Sequence, residues 1–494
     1  MYKRQPTDYK TGELWTERYG SYAYNGLYYD KEWENGSTST KIMAAETLTL
    51  HLMPGLDLRS IYSYDNTTVK DHIYYSANHY KGSADNGNVN EYRTTYEKMV
   101  TSTTANYTGT FDKHTVGTMV GFEAEKNKTD YVRATGSNLA VSTIHTVSTA
   151  GTQTSAGYSW GNSMVSVLSK LDYNYDERYF ISGSYRRDGS SAFSYTGNQW
   201  QNFYSVGLGW LMSEEAWMKD ITWLDMLKLK GSWGTLGNQN LDRAYPAEPL
   251  LTNAYSAVFG TPSAIYPGYQ LAYLPNPKLR WEKVEAWEAG AEANFLRNRL
   301  HFEGVYYKKK TKDLLAEVPG ISGTIPGIGN LGQIQNKGVE MAVTWRDQIG
   351  EWGYSVSANL TTIKNEVKSL VQEGYSIIAG DKQQSYTMAG YPIGYFYGYK
   401  VEGVYQSQAD IDASPKNTLA TVTPGDLKFA DVDGNGEITP EDRTMIGNPT
   451  PKVTYGFSLG VDYKNWSLGI DMMGQGGNKI FLSLIHISEP TRRV

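Results

Sequence analysis

The chain has no cysteine among its 494 residues, and no stretch approaches the roughly 20 apolar residues that a membrane-spanning helix requires. The first absence argues against a small secreted domain held together by disulfides. The second leaves membrane-spanning strands open, because a barrel strand buries only every second residue in lipid. The net charge of −6 gives no reason to expect nucleic acid as a partner, since phosphate binding needs a basic surface.

Signatures of enzymes and of repeat proteins are also scarce. The sequence has no repeat of about 40–50 residues, which propeller blades would produce. Its seven histidines show no metal-ligand spacing, and the pair Glu285 and Glu288 is better explained by a solvated strand than by acid–base catalysis. Residues 157–161 have the spelling of a nucleophile elbow, but they lie in a Gly/Ser/Thr-rich segment without the strand–turn–helix context that this chemistry needs. We therefore expect no enzyme.

Aromatic residues and glycine are abundant, with 40 Tyr, 13 Trp and 50 Gly. Tyr and Trp favour both interfaces of a membrane, where the ring lies at the boundary and the polar tip in water. Residues 453–463 alternate strictly between large apolar side chains and small or polar ones, and the pattern resumes at Trp466 after a two-residue turn. A strand of about ten residues with one apolar face suits a wall between lipid and water. The pattern predicts an antiparallel transmembrane β-barrel.

The same pattern recurs in seven hairpins with short turns: 47–52 with 56–64, 96–111 with 116–124, 165–175 with 180–187, 203–212 with 227–233, 284–295 with 300–307, 339–345 with 354–362, and 453–463 with 466–472. Long polar connections separate them, at 65–95, 125–162, 188–202, 235–282, 308–337 and 363–452. Short turns at one rim and long loops at the other are typical of bacterial outer-membrane barrels. The hairpins predict 14 strands, and a further apolar run at 391–405 would raise the number to 16. A soluble β-sandwich or propeller also alternates, but the large aromatic faces favour the barrel.

Seven segments, taken in order, resemble the SusC/RagA family of TonB-dependent outer-membrane transporters: 185–191, 209–215, 231–239, 276–282, 306–315, 336–340 and 424–431. The resemblance implies a 22-stranded barrel with an N-terminal plug and a TonB-contacting segment. It also implies a SusD-like surface lipoprotein as partner and import of oligosaccharides, or of peptides in RagA-like members. An outer-membrane barrel enzyme and a soluble glycan-binding module remain the alternatives.

We expect residues 6–481 to form the barrel without a plug, with 14–16 of the 22 strands that the resemblance implies. The first five residues carry no signal-peptide character, and 482–494 break off after a strand. Both ends resemble translated sequencing adapter. Residues 1–5 and 482–494 are therefore expected to be non-native.

Residues 431–442 fit the spacing of a calcium-binding loop. The predicted oxygen donors are Asp431, Asp433, Asn435, the Glu437 carbonyl, Thr439 and Asp442, with Gly436 at the sharp turn. Asp442 replaces the usual glutamate and is short for bidentate binding, so a modest affinity is expected. The alternative is a cluster of acidic Asx turns that needs no ion.

Exposed aromatic residues are candidates for stacking on substrate sugars, because CH groups pack on aromatic faces. The candidates are Trp160, Trp200, Tyr266 and Tyr269, with Phe193 and Tyr195 as further members of the set. Packing within loops or in an interfacial girdle is the alternative for each of them. Four basic residues are expected to face the lumen and to pair with neighbouring acids or a plug: Arg186, Arg187, Lys228 and Lys230.

Overall fold

The computed structural model describes residues 32–481 apart from 142, 240, 242–244, 319–325 and 381–382, together with residues 11, 12, 14, 27 and 30. The two segments expected to be non-native, 1–5 and 482–494, lie outside the described residues. Among the described residues, none of the helices combines the length and the apolarity needed to pass through a bilayer.

Fourteen long strands form the wall of the fold. They are β1 Trp33–Met53, β2 Leu56–Tyr75, β3 Asn88–Phe111, β4 His114–Leu139, β5 Ala150–Tyr175, β6 Tyr179–Ser190, β7 Trp200–Leu211, β8 Leu224–Asn238, β9 Glu282–Phe295, β10 Leu300–Lys312, β11 Gly332–Ile349, β12 Trp352–Thr362, β13 Val453–Tyr463 and β14 Trp466–Gly476. Each pairs with its neighbours in chain order, and all the pairings are antiparallel. These are the strands of the seven predicted hairpins, so the all-β antiparallel prediction is confirmed.

Several turns at one rim are short and place one residue in the left-handed region of backbone conformation. Asp112 and Lys464 have φ of 56° and 51° in two-residue connections, the conformation that tight hairpins require. Gly55 in the first turn has φ of 81°, and a Cβ there would lie 2.2 Å from the carbonyl oxygen of Thr108. Only glycine satisfies both conditions. The three longest connections, 239–281, 313–331 and 363–452, lie at the opposite rim, whereas the turn rim has one connection of 12 residues, 212–223.

The strand register divides the wall into two faces. Residues directly opposite each other on neighbouring strands point to the same face, and within a strand the even-numbered and odd-numbered residues point to opposite faces. The pairing therefore assigns each residue of β1 to β14 to one of the two faces by the parity of its number. The outer face is the set containing Leu48, Tyr62, Phe122, Val167, Leu208, Trp287, Tyr306, Met341, Leu459 and Leu468. The lumen face is the opposite set, and one cavity touches residues of every strand from β3 to β11 on that side. The apolar residues of 453–463 therefore face away from the protein, as a lipid-bathed wall requires.

Two predicted loops are largely strand, which corrects the boundaries at 65–95 and 125–162. Strands β2 to β5 are 20 to 26 residues long, whereas crossing a membrane takes about 9–11. The extra residues extend the wall beyond the apolar belt. These extra residues are polar on both faces, so apolar and polar residues no longer alternate. They are rich in Thr and Tyr, which still favour a β-strand.

The long connections carry short elements of their own. The strands are Leu251–Phe259, Ala264–Leu271, Leu315–Val318, Gly327–Asn330, Lys364–Leu370, Ser376–Ala379, Ser385–Met388, Tyr395–Tyr399, Val401–Val404, Lys416–Asn417, Leu427–Phe429, Glu437–Ile438 and Arg443–Gly447. The helices are α1 Gln408–Asp412 and the 3-10 turns Ser83–Asp85, Val147–Thr149, Ser191–Thr196 and Pro440–Asp442. Two further 3-10 turns, Met212–Glu214 and Ala216–Met218, lie between β7 and β8 at the turn rim. Lys364–Leu370 pairs with β11 outside the wall order.

The apolar run 391–405 does not add wall strands, which corrects the higher strand number. Tyr395–Tyr399 lies in a four-stranded sheet with Ser385–Met388 and Arg443–Gly447, inside the connection 363–452. Its tyrosines serve a local core, and burial among neighbouring tyrosines raises the pKa of Tyr395 to about 12. An apolar run without a lipid-facing partner strand fits a loop core equally well.

Candidate functional site

The lumen cavity has a volume of about 940 Å³ and a mixed charge. Small residues, Ser182, Gly207, Gly209 and Gly290, form part of its surface. Acids and lysines share the rest, namely Asp172, Glu288, Glu303, Glu340, Lys228, Lys230 and Lys309. A wet surface carrying both signs of charge suits passage of a polar solute better than selection of one ion.

Three of the four predicted lumen cations face the lumen. Arg186 donates to Asp188 at 2.7 Å and to Glu123 at 3.1 Å. Lys230 pairs with Glu303 on the same face, and the Lys228 ammonium lies 4.6 Å from the centre of the Phe180 ring. Pairing with neighbouring acids is thus correct for Arg186 and Lys230.

Arg187 lies on the outer face, so its predicted lumen position is wrong, and Glu285 also lies on the outer face. Arg187 has the opposite parity to Arg186, and its guanidinium lies 5.2 Å from the Trp200 ring. Glu285 accepts from Lys312 at 2.6 Å and from the indole of Trp233, whereas Glu288 lines the cavity. Residues an odd number of positions apart on a strand point to opposite faces, which separates Arg186 from Arg187 and Glu285 from Glu288.

An aromatic platform lies on the lumen face above the membrane belt. It consists of Tyr92 on β3, Tyr131 on β4, and Tyr158 and Trp160 on β5. The Tyr131 and Tyr158 rings stack with centroids 4.8 Å apart, and Tyr92 continues the row at 6.4 Å. Trp160 is two residues from Tyr158 and shares its face; the two side chains are 38% and 55% exposed. At about 3.3 Å per residue and a tilt near 40°, Tyr131 lies about 40 Å from the turn rim, beyond a belt about 25 Å tall.

The other predicted aromatic candidates do not join Trp160. Trp200 is on the outer face, where it packs on Arg187. Tyr266 and Tyr269 lie on the hairpin of Leu251–Phe259 and Ala264–Leu271, and both are exposed. Phe193 is fully buried and packs on Trp281 at 5.3 Å. Sequence analysis missed Tyr92 and Tyr131, whereas Tyr158 was within reach as the i−2 neighbour of Trp160.

The calcium-like loop brings three of its predicted donors together. Carboxylate oxygens of Asp431, Asp433 and Asp442 all lie within 4.8 Å of one another. Asp442 is buried, and its oxygens accept from the amides of Val432 and Thr439, each at 2.7 Å. The backbone N–H of Thr439 makes the largest contribution to lowering the pKa of the Asp442 carboxyl, and the N–H of Val432 lowers it further.

The remaining donors are engaged within the loop. Asn435 Oδ1 accepts from the Glu437 amide at 2.7 Å, and Thr439 Oγ1 donates to Asp442 at 3.3 Å. Asp431 accepts three backbone N–H groups, from residues 434, 435 and 436. A carboxylate has about four lone-pair sites. Asp442 uses all of them for bonds from residues 432, 433 and 439, whereas Asp431 keeps about one and Asp433 about two for a cation. The donor set therefore fits a calcium ion centred on the first two residues.

The histidines form contacts that their spacing does not indicate. His72 Nδ1 lies 2.6 Å from Glu91, and His72 and His145 both contact Glu34, at 3.4 and 3.0 Å. The His145 ring also stacks on Tyr74. These residues tie the outer ends of β1, β2 and β3 to the loop after β4. Residues 157–161, which match the nucleophile-elbow motif, lie on the extended strand β5. A nucleophile elbow instead requires a sharp turn between a strand and a helix.

Comparison with known proteins identifies relatives of this chain. The family described as TonB dependent receptor-like, beta-barrel matches residues 1–481. The TonB-dependent receptor P3 of Formosa agariphila is 29% identical over 402 residues, covering 79% of this chain and 40% of that protein. The TonB-dependent receptor SusC of Bacteroides thetaiotaomicron is 29% identical over 345 residues, covering 66% and 32%.

A solved structure of the RagAB peptide transporter superimposes with a TM-score of 0.80 at 24% identity, covering 96% of this chain and 52% of that chain. That similarity is one of fold. The chain spans less than half the length of the curated relatives it matches. The family match extends over nearly the whole chain and agrees with the lipid-facing wall and the resemblance to SusC/RagA members. The chain therefore belongs to the family of TonB-dependent receptor-like β-barrels of the bacterial outer membrane.

Proposed function

We propose that this chain is the barrel part of a TonB-dependent importer of nutrient oligomers, and that its cargo is oligosaccharide. The aromatic platform is the observation that carries the proposal. It presents four rings outside the membrane, on the same face of the wall as the cavity of mixed charge. Flat, exposed rings suit the apolar faces of sugar rings, and a lumen without one dominant charge suits a neutral polymer.

The partners proposed for the whole protein follow from the family. A SusD-like surface lipoprotein would cover the rim that carries the long loops, and TonB would act through a plug-bearing region. Peptide import is the second candidate, and it is favoured by the fold similarity to the RagAB peptide transporter. A catalytic role has less support, because the family consists of receptors and the elbow-like segment is an extended strand.

The test is a binding experiment on the full chain folded in detergent. Panels of neutral oligosaccharides and of peptides of similar length are titrated, and binding is measured by calorimetry. We expect oligosaccharide binding that Trp160→Ala weakens roughly 2- to 10-fold, the value of one aromatic stacking contact. Trp200→Ala is the matched control, since Trp200 is similarly exposed, at 44%, but lies on the outer face.

The outcomes separate the two candidates. Peptide binding that is sensitive to Trp160→Ala, with no oligosaccharide binding, would replace the glycan proposal by peptide import. Equal losses in the Trp160 and Trp200 variants would show that the platform does not bind the cargo.

We also propose that residues 431–442 bind one calcium ion that rigidifies the connection 363–452. Asp431 and Asp433 would supply the carboxylate oxygens, with Asn435, the Glu437 carbonyl, Thr439 and Asp442 completing the set. The bound ion would supply positive charge at a cluster of three carboxylates, which otherwise repel one another.

Calcium titration of the full chain in detergent, followed by calorimetry and amide exchange, tests this site. We expect millimolar or tighter binding that slows exchange at residues 432–439. Asp433→Asn should weaken binding about tenfold, because it removes one charge while Asp442 keeps its backbone bonds. Asp462→Asn on the wall is the control. No heat of binding up to several millimolar calcium contradicts the proposal.

A further inference from the structure

A second cavity, of about 670 Å³, lies on the outer face at strands β1 to β5. Its floor contains small side chains, Ala44, Thr101 and Ala124, and larger ones stand around them, Tyr62, Tyr64 and Met99. Register places all six on the outer face, in two adjacent cross-strand rows. We call this the outer-face groove. It is continuous with the lipid-facing belt and separate from the lumen and from the aromatic platform.

The groove spans the outer half of the apolar belt. Tyr62 is six residues from the start of β2, and Lys126 is twelve residues from the start of β4. With about 3.3 Å per residue, about 4.8 Å per strand and a tilt near 40°, Tyr62 lies about 15 Å from the turn rim. Lys126 is one row further along and two strands away, which places it about 11 Å higher. A belt about 25 Å tall therefore ends between them. One end of the groove lies in the acyl region and the other at the outer headgroup boundary.

The charges at the two ends differ. Lys126 marks the outer end and makes no ion pair among the residues that the structure describes, while Lys128 follows on the same face and pairs with Asp130 at 2.7 Å. Glu46 lies at the opposite side, on β1, three strands away, or about 14 Å. Glu97 on β3 is also on the outer face, diagonal to Lys126. An anionic headgroup is therefore drawn to Lys126 from the β5 side, away from both Glu97 and Glu46.

We propose that the outer-face groove is a binding site for a phosphate-bearing lipid of the outer leaflet. One acyl chain lies over Thr101 and Ala124 beside Tyr62, and a lipid phosphate contacts the Lys126 ammonium. Tyr64 stands at the boundary, where its hydroxyl donates to Glu97 at 3.3 Å and its ring covers the chain. The site differs from general lipid contact because a recess in the wall coincides with a cation at headgroup depth. The proposal is independent of what the barrel imports.

The test uses the full chain purified in dodecyl maltoside, with diphosphorylated lipid A as the probe and native mass spectrometry as the readout. We expect one retained lipid per chain. Ala124→Phe fills the floor and should abolish retention, and Lys126→Gln should weaken it roughly tenfold, the value of one charge-assisted contact. Ala358→Phe is the matched control, because Ala358 is an exposed alanine on the outer face of β12, far from the groove.

Two further arms distinguish the source of the contact. Dephosphorylated lipid A should bind about as weakly as the diphosphorylated form binds to the Lys126→Gln variant, and inorganic phosphate should not displace the lipid. Retention that Ala124→Phe and Ala358→Phe leave equally unchanged would overturn the proposal. So would competition by inorganic phosphate, which would identify Lys126 as a site for soluble anions.

Discussion

Replacing Leu459 by arginine is expected to lower the free energy of unfolding of the chain in lipid vesicles by about 2–4 kcal/mol. Leu459 is on the outer face of β13, midway between the turn at Lys464 and the far end of the strand. A guanidinium there has to enter the acyl region, where it finds neither water nor a carboxylate on its own face. Denaturant titration followed by tryptophan fluorescence measures the change.

The neighbouring residue provides the control. Ser458 has the opposite parity and is exposed on the lumen face, directly opposite Asp471. Ser458→Arg places the same charge one residue away in water, beside an acid, and should change stability by less than about 0.5 kcal/mol. If the two variants unfold alike, the assignment of the faces is wrong, because nothing else distinguishes the two positions so sharply.

Replacing Phe193 by alanine is expected to destabilise the packed loops by about 3–5 kcal/mol. Phe193 is fully buried in a core with Phe203, Leu279 and Trp281, where it joins the 3-10 turn after β6 to the connection before β9. Phe203 on β7 is the one wall-strand residue among the seven buried residues of this core that the structure describes, so barrel unfolding should change little. Amide exchange at Ser190, which donates to the carbonyl of Gln199 at 3.0 Å, reports the local loss.

Tyr195 lies two residues away on the same 3-10 turn and is 55% exposed. Tyr195→Ala should leave exchange at Ser190 within about 0.5 kcal/mol of the unmodified chain, since it removes no buried contact. A loss equal to that of Phe193→Ala would show that the turn, and not the core, holds these loops. Sequence analysis treated both aromatics alike as candidates for substrate contact.

The wall was predictable because its signal is local. Alternation with a period of two is set by the strand itself, so residues 453–463 reveal both the strand and its two faces without knowledge of any partner. Where both faces become polar, as in the outer parts of β2 to β5, the alternation between apolar and polar residues disappears although the strand continues. The boundaries at 65–95 and 125–162 were wrong for that reason.

Face assignments at single residues were within reach and were missed. Arg187 and Trp200 carry the same parity as the lipid-facing residues of their own strands, Tyr185 and Tyr204. Counting along the strand places them outside the lumen. Residue type alone suggested the opposite, because an arginine and an exposed tryptophan were grouped with lumen and substrate residues.

By itself the sequence determined the strands, the tight turns, the lipid-facing surface and the family, since each depends on neighbouring residues or on ordered motifs. Only the tertiary structure decided which distant residues meet. Tyr92, Tyr131 and Tyr158 become one platform, and Thr101 and Ala124 one groove floor, through the registers of β3, β4 and β5. A register is a property of two strands at once, so no single stretch of sequence contains it.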